Sequence, residues 1–595
     1  MAVMVSNSQK TAKRLLVGAI DFGTTYSGWA FSFKHDYDSD PTKATTKHWL
    51  PRSGTLVTEK TPTCALVNPD GKTLKAFGYD AENEYRQILE KGEEEYYFFF
   101  KRFKMELYCK MGKDLKRDIT INDESGRPLL AADVFGMSIK FLVDDMLNNA
   151  GKGIDGIIRH SEIHLVVTVP AIWSDAAKQF MREAAEKTGL CKEQLTIALE
   201  PEAASLYCRH VHMHKRGEIG NVSMNKLPIG TKYIVVDAGG GTIDVTVHET
   251  GSEHTLREIR PASGGDWGSI MVDKEFENLL IHIVGRTVFE KFKHEEKEDW
   301  LDMQREFESR KRETTVDSES IVGMRIPASL IDLYNQDSQR DLCTSLASSQ
   351  YAGLIELKRD KMKISNKVFV QLFDASVTKT VGHLKSVLSD GSLKDVRILL
   401  MVGGYSESPV LQRAVSEALP GTEVLIPAGA SSVVLRGALI YGHNSSSISE
   451  RILKFTYGTA YTPFFIEGIH PRSKRFKEKD GSIRCFNVFD KLVKTGQSVK
   501  TGETQVKKTY VTILGNQKIM LFKIYALERD REDPVYIDDD ECHKIGELEI
   551  EFDEESNTSK RKVSLSMLFG GTEIMVEVED ICTGKKKITT IDFLG

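Results

Sequence analysis

Apolar and polar positions follow two rhythms along this chain, and the change of rhythm divides it. From about residue 15 to 445, short apolar runs alternate with longer stretches of helical spacing, a pattern of α/β architecture. Leu15-Leu16-Val17, residues 163–170, Tyr233-Ile234-Val235 and residues 397–402 read as buried strands. Residues 175–188, stopped by Gly189, and residues 409–419 read as helices. The long, charged, amphipathic stretch 274–314 suits a pair of helices in a peripheral subdomain. Tyr96-Tyr97-Phe98-Phe99-Phe100 reads as a packed helix, with an exposed partner patch as the alternative. Beyond 443 strands dominate, at 508–514, 519–527, 546–552, 562–568, 573–579 and 587–593. Turn signals at Gly515-Asn516, Gly570-Gly571 and Thr583-Gly584 separate them, which predicts an antiparallel β-sandwich. Between the two regions, residues 443–449 are small and polar and read as a linker.

At 595 residues the chain is too long for one core, so two or more domains are expected. A net charge of −6 is small for this size and argues against broad nucleic-acid binding. The eight cysteines form no C-x-x-C pair, which suits reduced thiols in a cytoplasmic or nuclear protein. Residues 1–14 are polar and lack a signal-peptide core, and no run is long enough to span a membrane.

Two of the strands end alike. Ile20-Asp21-Phe22-Gly23-Thr24-Thr25 follows the first apolar run, and Val236-Asp237-Ala238-Gly239-Gly240-Gly241-Thr242 follows Tyr233-Ile234-Val235. Each reads as a buried strand delivering an aspartate, then a glycine-rich turn, then a returning strand. Glycine lets backbone N–H groups approach an anion closely. Aspartates supply hard oxygens for Mg²⁺, usually through its waters. Two such units predict two similar half-domains closing on one nucleotide.

Further along come Glu200-Pro201-Glu202, Asp244, Ser263-Gly264-Gly265-Asp266 and Val402-Gly403-Gly404-Tyr405-Ser406. Together these motifs resemble the superfamily of actin, sugar kinases and 70-kDa heat-shock chaperones. Val169-Pro170-Ala171, Glu200-Pro201 and the run Asp237 to Asp244 narrow the resemblance to the chaperones, and Val576 to Lys585 resembles the end of their peptide-binding domain. The divergent 12A/12B subfamily is the nearest likeness.

The resemblance implies an actin-like ATPase of two lobes with duplicated ribonuclease-H-like cores, then an all-β sandwich with no C-terminal helical lid. Its boundaries would be a flexible 1–14, lobes at about 15–232 and 233–444, a linker at 445–454 and the sandwich at 455–595. It implies that Gly23, Thr24, Thr25, Tyr26 and Gly239, Gly240, Gly241, Thr242 hold phosphates of ATP or ADP. Asp21 and Asp237 would hold hydrated Mg²⁺, and Glu200 and Asp244 would orient and deprotonate the attacking water, with Asp237 completing the catalytic set. Gly264 and Gly265 resemble ribose and phosphate contacts. Glu308, Lys311, Arg312 and Thr315 resemble the ribose and adenine helix, and Gly403, Gly404, Tyr405 and Ser408 the opposite wall.

Departures from the family pattern bear on activity. Glu82 stands where the family has its catalytic lysine, and a carboxylate there would repel the γ-phosphate. A solvated helix residue one turn out of register is the alternative; Lys101, Arg102 and Lys104 are candidate substitutes. Glu407 replaces the arginine that stacks on adenine, and residues 429–432 hold no acid. The linker keeps two apolar residues, Ile452 and Leu453, which predicts weak coupling between domains.

Other clusters read more plainly. His210, His212 and His214 suit an exposed helix end, with a metal site as the alternative. Arg472, Lys474, Arg475, Lys477 and Lys479 read as a solvated hairpin, with a docking loop for an acidic partner as the alternative. Asp538-Asp539-Asp540-Glu541 reads as a solvated acidic turn rather than a Ca²⁺ loop. The expected function is an atypical heat-shock-type chaperone, at most a weak ATPase, that binds nucleotide and polypeptide clients or signalling partners. A non-catalytic adaptor and a small-molecule kinase are the alternatives.

Overall fold

The first apolar run forms strand β1 (Leu16–Phe22), all seven of its residues buried, which only a strand covered on both faces allows. The structure is a computed structural model that describes residues 15–594, except 52–57, 111–114, 155–157, 216–220, 225–226, 253–254, 317–318, 479, 515–516, 553–559 and 570–572. Residues 1–14, the turns at Gly515-Asn516 and Gly570-Gly571, Lys479 and the side chain of His214 lie outside the described residues.

In the first lobe β1, β2 (Tyr26–Phe33), β3 (Thr45–Thr46), β4 (Ile163–Val169) and β5 (Leu195–Leu199) form a sheet in the order β5–β4–β1–β2–β3. β1 runs parallel to β4 and antiparallel to β2. The second lobe repeats this order and these senses with β6 (Lys232–Ala238), β7 (Ile243–Thr250), β8 (Leu256–Gly265), β9 (Ile398–Val402) and β10 (Glu423–Pro427), as β10–β9–β6–β7–β8. The paired aspartate motifs therefore occupy one position in a repeated topology: the end of the central strand.

Six helices position the site: α1 (Tyr79–Lys91), α2 (Ala131–Ile154), α3 (Asp175–Glu186), α4 (Glu200–Cys208), α5 (Lys297–Glu313) and α6 (Val433–His443). Helices α4 and α6 follow the last strand of each repeat and share the core between the lobes with Val17, Val166, Tyr233 and Leu400. Their backbones cross so closely that a Cβ on Gly437 would strike the Ala203 carbonyl.

Several elements differ from the sequence expectation. The stretch 274–314 lies across three helices, Ile270–Val284, Arg286–Glu295 and α5, broken at Gly285, whose φ is 84°. The aromatic run holds a strand, Phe98–Lys101, because it is covered on both faces: Phe99 enters one core and Phe100 another. His212 begins a strand, His212–Lys215, that pairs with β10, so the second sheet recruits residues before the expected boundary at 233.

The expected linker is also a strand. β11 (Ile448–Ile452) adds to β8 in parallel, and β12 (Ser498–Lys500) from the C-terminal region pairs with its other edge. Beyond it lie two four-stranded antiparallel sheets. One holds Thr456–Tyr461, Val488–Val493, Ile519–Leu527 and Cys542–Glu551; the other holds Thr504–Val511, Lys562–Phe569, Ile574–Asp580 and Lys586–Thr590. Their facing side chains, among them Tyr457, Phe522, Ile524, Leu548, Leu565, Val576 and Val578, form one core. This region is docked on the first lobe: Leu594 is buried in that lobe's core, Asp592 pairs with Arg117 at 2.9 Å, and Tyr457 donates to Asp175 at 3.2 Å.

Candidate functional site

Between the lobes lies a cleft of about 380 Å³, floored by the ends of β1 and β6. The two glycine turns face each other across it. A Cβ on Gly240 would strike the side chain of Thr25, and one on Gly241 that of Thr24, so the turns can approach this closely only as glycine. The start of helix Ile270–Val284 braces the second turn: the Ile270 N–H donates to Gly240 O at 2.9 Å and the Ser269 N–H to Gly239 O at 3.2 Å.

Three carboxylates, Asp21, Asp237 and Glu200, line the floor with two ammonium groups. Lys60 Nζ donates to Asp21 Oδ2 at 2.5 Å, and Lys104 Nζ to Glu200 Oε1 at 3.0 Å. Burial raises the Asp237 carboxyl well above its ordinary range, and the negative charges of Glu200, Asp244 and Asp21 add to that. Burial also raises Glu200, against the pull of Lys104. Concentrated negative charge with little water is an arrangement that a cation relieves. Among the described residues no three His, Cys, Asp or Glu side chains form a direct metal-binding group.

One turn of α5 forms the next wall. Burial pushes the Glu308 carboxyl up, but Lys311 and Arg312 more than offset this and hold it down at about 2. Lys311 also donates to Asp273 at 2.7 Å, and the Arg312 guanidinium lies 4.8 Å from the centre of the Tyr26 ring. Across the cleft Gly403, Gly404, Tyr405, Glu407 and Ser408 follow β9, and Glu407 Oε1 accepts the Ser431 N–H at 3.1 Å.

The fold thus brings to one cleft Asp21, Gly23, Thr24, Thr25, Tyr26, Glu200, Asp237, Gly239, Gly240, Gly241, Thr242, Glu308, Lys311, Arg312, Gly403, Gly404, Tyr405 and Ser408. Four expected residues do not line it. Asp244 sits behind Asp237 on β7, buried, accepting the Ile172 N–H at 3.1 Å, with its carboxyl pushed up to about 7 by burial and by Glu200. Gly264 and Gly265 end β8 opposite Asp244 and Ile243, and the chain reaches the cleft only at Ser269. Thr315 is exposed past the end of α5, its carbonyl accepting from Asn366 at 2.8 Å.

Glu82 is placed differently from its sequence expectation. It is 4% exposed, outside the cleft, where Arg305 of α5 donates to it at 3.0 Å and the Cys64 thiol faces it at 3.5 Å. Its charge is matched by Arg305 of the other lobe. Of the three substitute cations, Lys101 donates to Gln304 at 2.7 Å, Arg102 pairs with Asp273 at 2.8 Å, and Lys104 alone lines the cleft. Lys60 has no motif around it; the pairing of Thr61-Pro62 with Tyr26 and Ser27 carries it to Asp21.

No family model matches the chain. Heat shock 70 kDa protein 12A of Homo sapiens is 32% identical over 639 residues, covering 99% of this chain and 93% of that protein. Heat shock 70 kDa protein 12B of Homo sapiens is also 32% identical, over 98% of this chain and 91% of that protein. Chaperone protein DnaK 3 of Synechococcus is 22% identical over 71% of this chain and 54% of its own length.

Proposed function

Given that the chain belongs to the 70-kDa heat-shock protein family, with relatives 12A and 12B matching nearly its whole length, we propose that its interlobe cleft binds ATP or ADP with Mg²⁺ and that its C-terminal sheets engage polypeptide. The observation that carries the reading is the convergence of two opposed glycine turns with Asp21, Asp237, Glu200, Lys60 and Lys104. Main-chain N–H groups of both turns would cradle the phosphates. Asp21 and Asp237 would hold the waters of Mg²⁺, which would neutralise phosphate charge. Glu200, raised by burial, would take the proton of the attacking water. Glu308, Lys311 and Arg312 would hold the ribose, with the base between Arg312 and the Tyr405–Ser408 turn.

The C-terminal domain reads as a β-sandwich, whose main-chain edges and side-chain pockets suit extended peptides. Hydrolysis is expected to be slow, with Lys104 as the charge-neutralising group. A non-catalytic adaptor is the second reading, favoured by Glu82 and the altered linker; the position of Glu82 beside the cleft rather than in it, and the pairing of residues 448–452 as a strand, favour the first. Calorimetry with ATP and ADP, with and without Mg²⁺, tests the nucleotide half. Heat of binding that Mg²⁺ strengthens, and that Asp237→Ala weakens selectively for the metal complex, is the expected result. No heat at high micromolar nucleotide would reject it.

A further inference from the structure

Six of the eighteen large apolar side chains exposed among the described residues fall within one short segment: Tyr461, Phe464, Ile466, Ile469, Ile483 and Phe486. The segment leaves the C-terminal core after strand Thr456–Tyr461 and returns to it at Val488–Val493. Its framework is a hairpin of strands Arg475–Lys477 and Ile483–Cys485, bridged on the far side of the second strand by Phe464. No other strand pairs with Arg475–Lys477 among the described residues, so one of its edges is open.

The two faces of that open edge differ in chemistry, because successive side chains of a strand point to opposite sides. Phe476 shares a face with Arg484 and Phe464, which oppose it in register, and its ring lies 6.0 Å from that of Phe486. Arg475 and Lys477 occupy the other face, both exposed. Nearby cations are matched: Arg472 with Glu467 at 2.6 Å, Lys474 with Asp538 at 2.5 Å, Arg484 with Asp480 at 3.8 Å. Arg475 and Lys477 make no ion pair among the described residues; Arg475 lies only over the Phe465 ring, at 5.7 Å.

We propose that the open edge of Arg475–Lys477 accepts an extended polypeptide segment by strand addition, with acidic side chains at alternate positions and apolar ones between them. Two carboxylates spaced i, i+2 would oppose Arg475 and Lys477 on one face. The intervening apolar side chain would meet Phe476 on the other, with the Phe486 ring beside it. Cross-strand pairs of this kind give selectivity, while main-chain hydrogen bonds give binding that is blind to sequence. The proposal rests on the polypeptide-binding half of the reading above and names the class of segment.

Fluorescence anisotropy on the full chain tests it with labelled synthetic peptides: alternating Glu/Leu, alternating Lys/Leu, a block peptide of the same Glu and Leu content, and a neutral apolar peptide. The alternating Glu/Leu peptide is expected to bind about ten-fold tighter than the Lys/Leu and block peptides, and less tightly as salt rises. Charge reversal with Arg475→Glu and Lys477→Glu, at exposed positions, should transfer the preference to Lys/Leu. Equal binding of the block peptide, or no response to charge reversal, would overturn the proposal while leaving polypeptide binding intact if the neutral peptide still binds. Failure of every peptide would remove that wider reading as well. Competition by phosphatidylserine vesicles, or self-association relieved by the peptide, would assign the edge to a membrane or to a second copy and equally overturn it.

Discussion

On the cleft floor the Lys104 ammonium meets Glu200 with only 2% of its side chain exposed. Removing one partner of so buried a pair strands the other charge, at a cost of about 3–5 kcal/mol unless Glu200 takes a proton. Lys104→Ala should therefore do two things. Melting temperature falls, and single-turnover ATP hydrolysis drops by about 10²- to 10³-fold, the usual loss when a charge-stabilising group is removed. Glu82→Lys separates this picture from the one drawn by family position. A lysine at 82 would face Arg305 rather than the phosphates, so turnover should stay unchanged while the protein becomes less stable. A rise in turnover would return the catalytic position to residue 82.

Helices and strands carry consequences that no single residue does. Helix α1 of the first lobe and α5 of the second meet along a row of polar contacts: Glu82 with Arg305, Arg86 with Glu298 and Asp302, and Lys297 with Glu94 beyond the end of α1. These tie the two lobes together outside the cleft. Arg305→Ala should speed release of a fluorescent ADP analogue, measured by stopped flow, and wild-type release should itself quicken with salt because most of these pairs are half-exposed. Strand β11 makes a second link. Arg451 bonds both carboxylate oxygens of Glu202, at 2.8 and 2.6 Å, on the same first turn of α4 that presents Glu200 to the cleft. A shift of this first turn on binding nucleotide would carry Glu202, the partner of the linker strand, with it. Arg451→Ala should make peptide release less responsive to ATP, read by anisotropy in the two nucleotide states. An unaltered ATP response would show that β11 is not the route.

Across the whole molecule the docking of the C-terminal region should respond to pH. Glu258 of β8 accepts the Ile452 N–H at 3.0 Å, and burial, with the negative charge of Glu202 beside it, pushes its carboxyl up to about 7; Arg451 and Lys178 pull the other way. A carboxyl that holds its proton more tightly when folded stabilises the fold fully below its ordinary value near 4.5, and that stabilisation is lost as pH rises through about 7. Calorimetric melting from pH 5 to 8 should show a decline that Glu258→Gln partly flattens; parallel curves would exclude this group. The same interface bears on dissection of the chain. A fragment beginning at 448 carries β11 without β8, and Leu594 without its core in the first lobe, so it should be less stable than the region within the full chain.

What the sequence determined by itself were the features that recur locally. The two aspartate–glycine turns, the strands leading to them and the period-two rhythm of the C-terminal strands are all written in contiguous residues. Local steric and burial preferences decide such elements before any distant contact forms. The likeness of two turns far apart already implied a repeated topology. Tertiary structure alone decided which charges share a site. Lys60 and Lys104 carry no local signature, and reach Asp21 and Glu200 only because strand pairing and the packing of the first lobe bring them there. Glu82 reads from sequence as standing at a lysine's position, yet in the fold it is buried against Arg305 and serves a different contact. Residues 448–452 look like a polar linker, but Arg451 finds Glu202 and β8 offers an open edge, so a strand forms where composition favours coil. Pairing partners of this kind lie far apart in sequence and have no period to read, and desolvating a charge is favourable only where the fold supplies its counterpart.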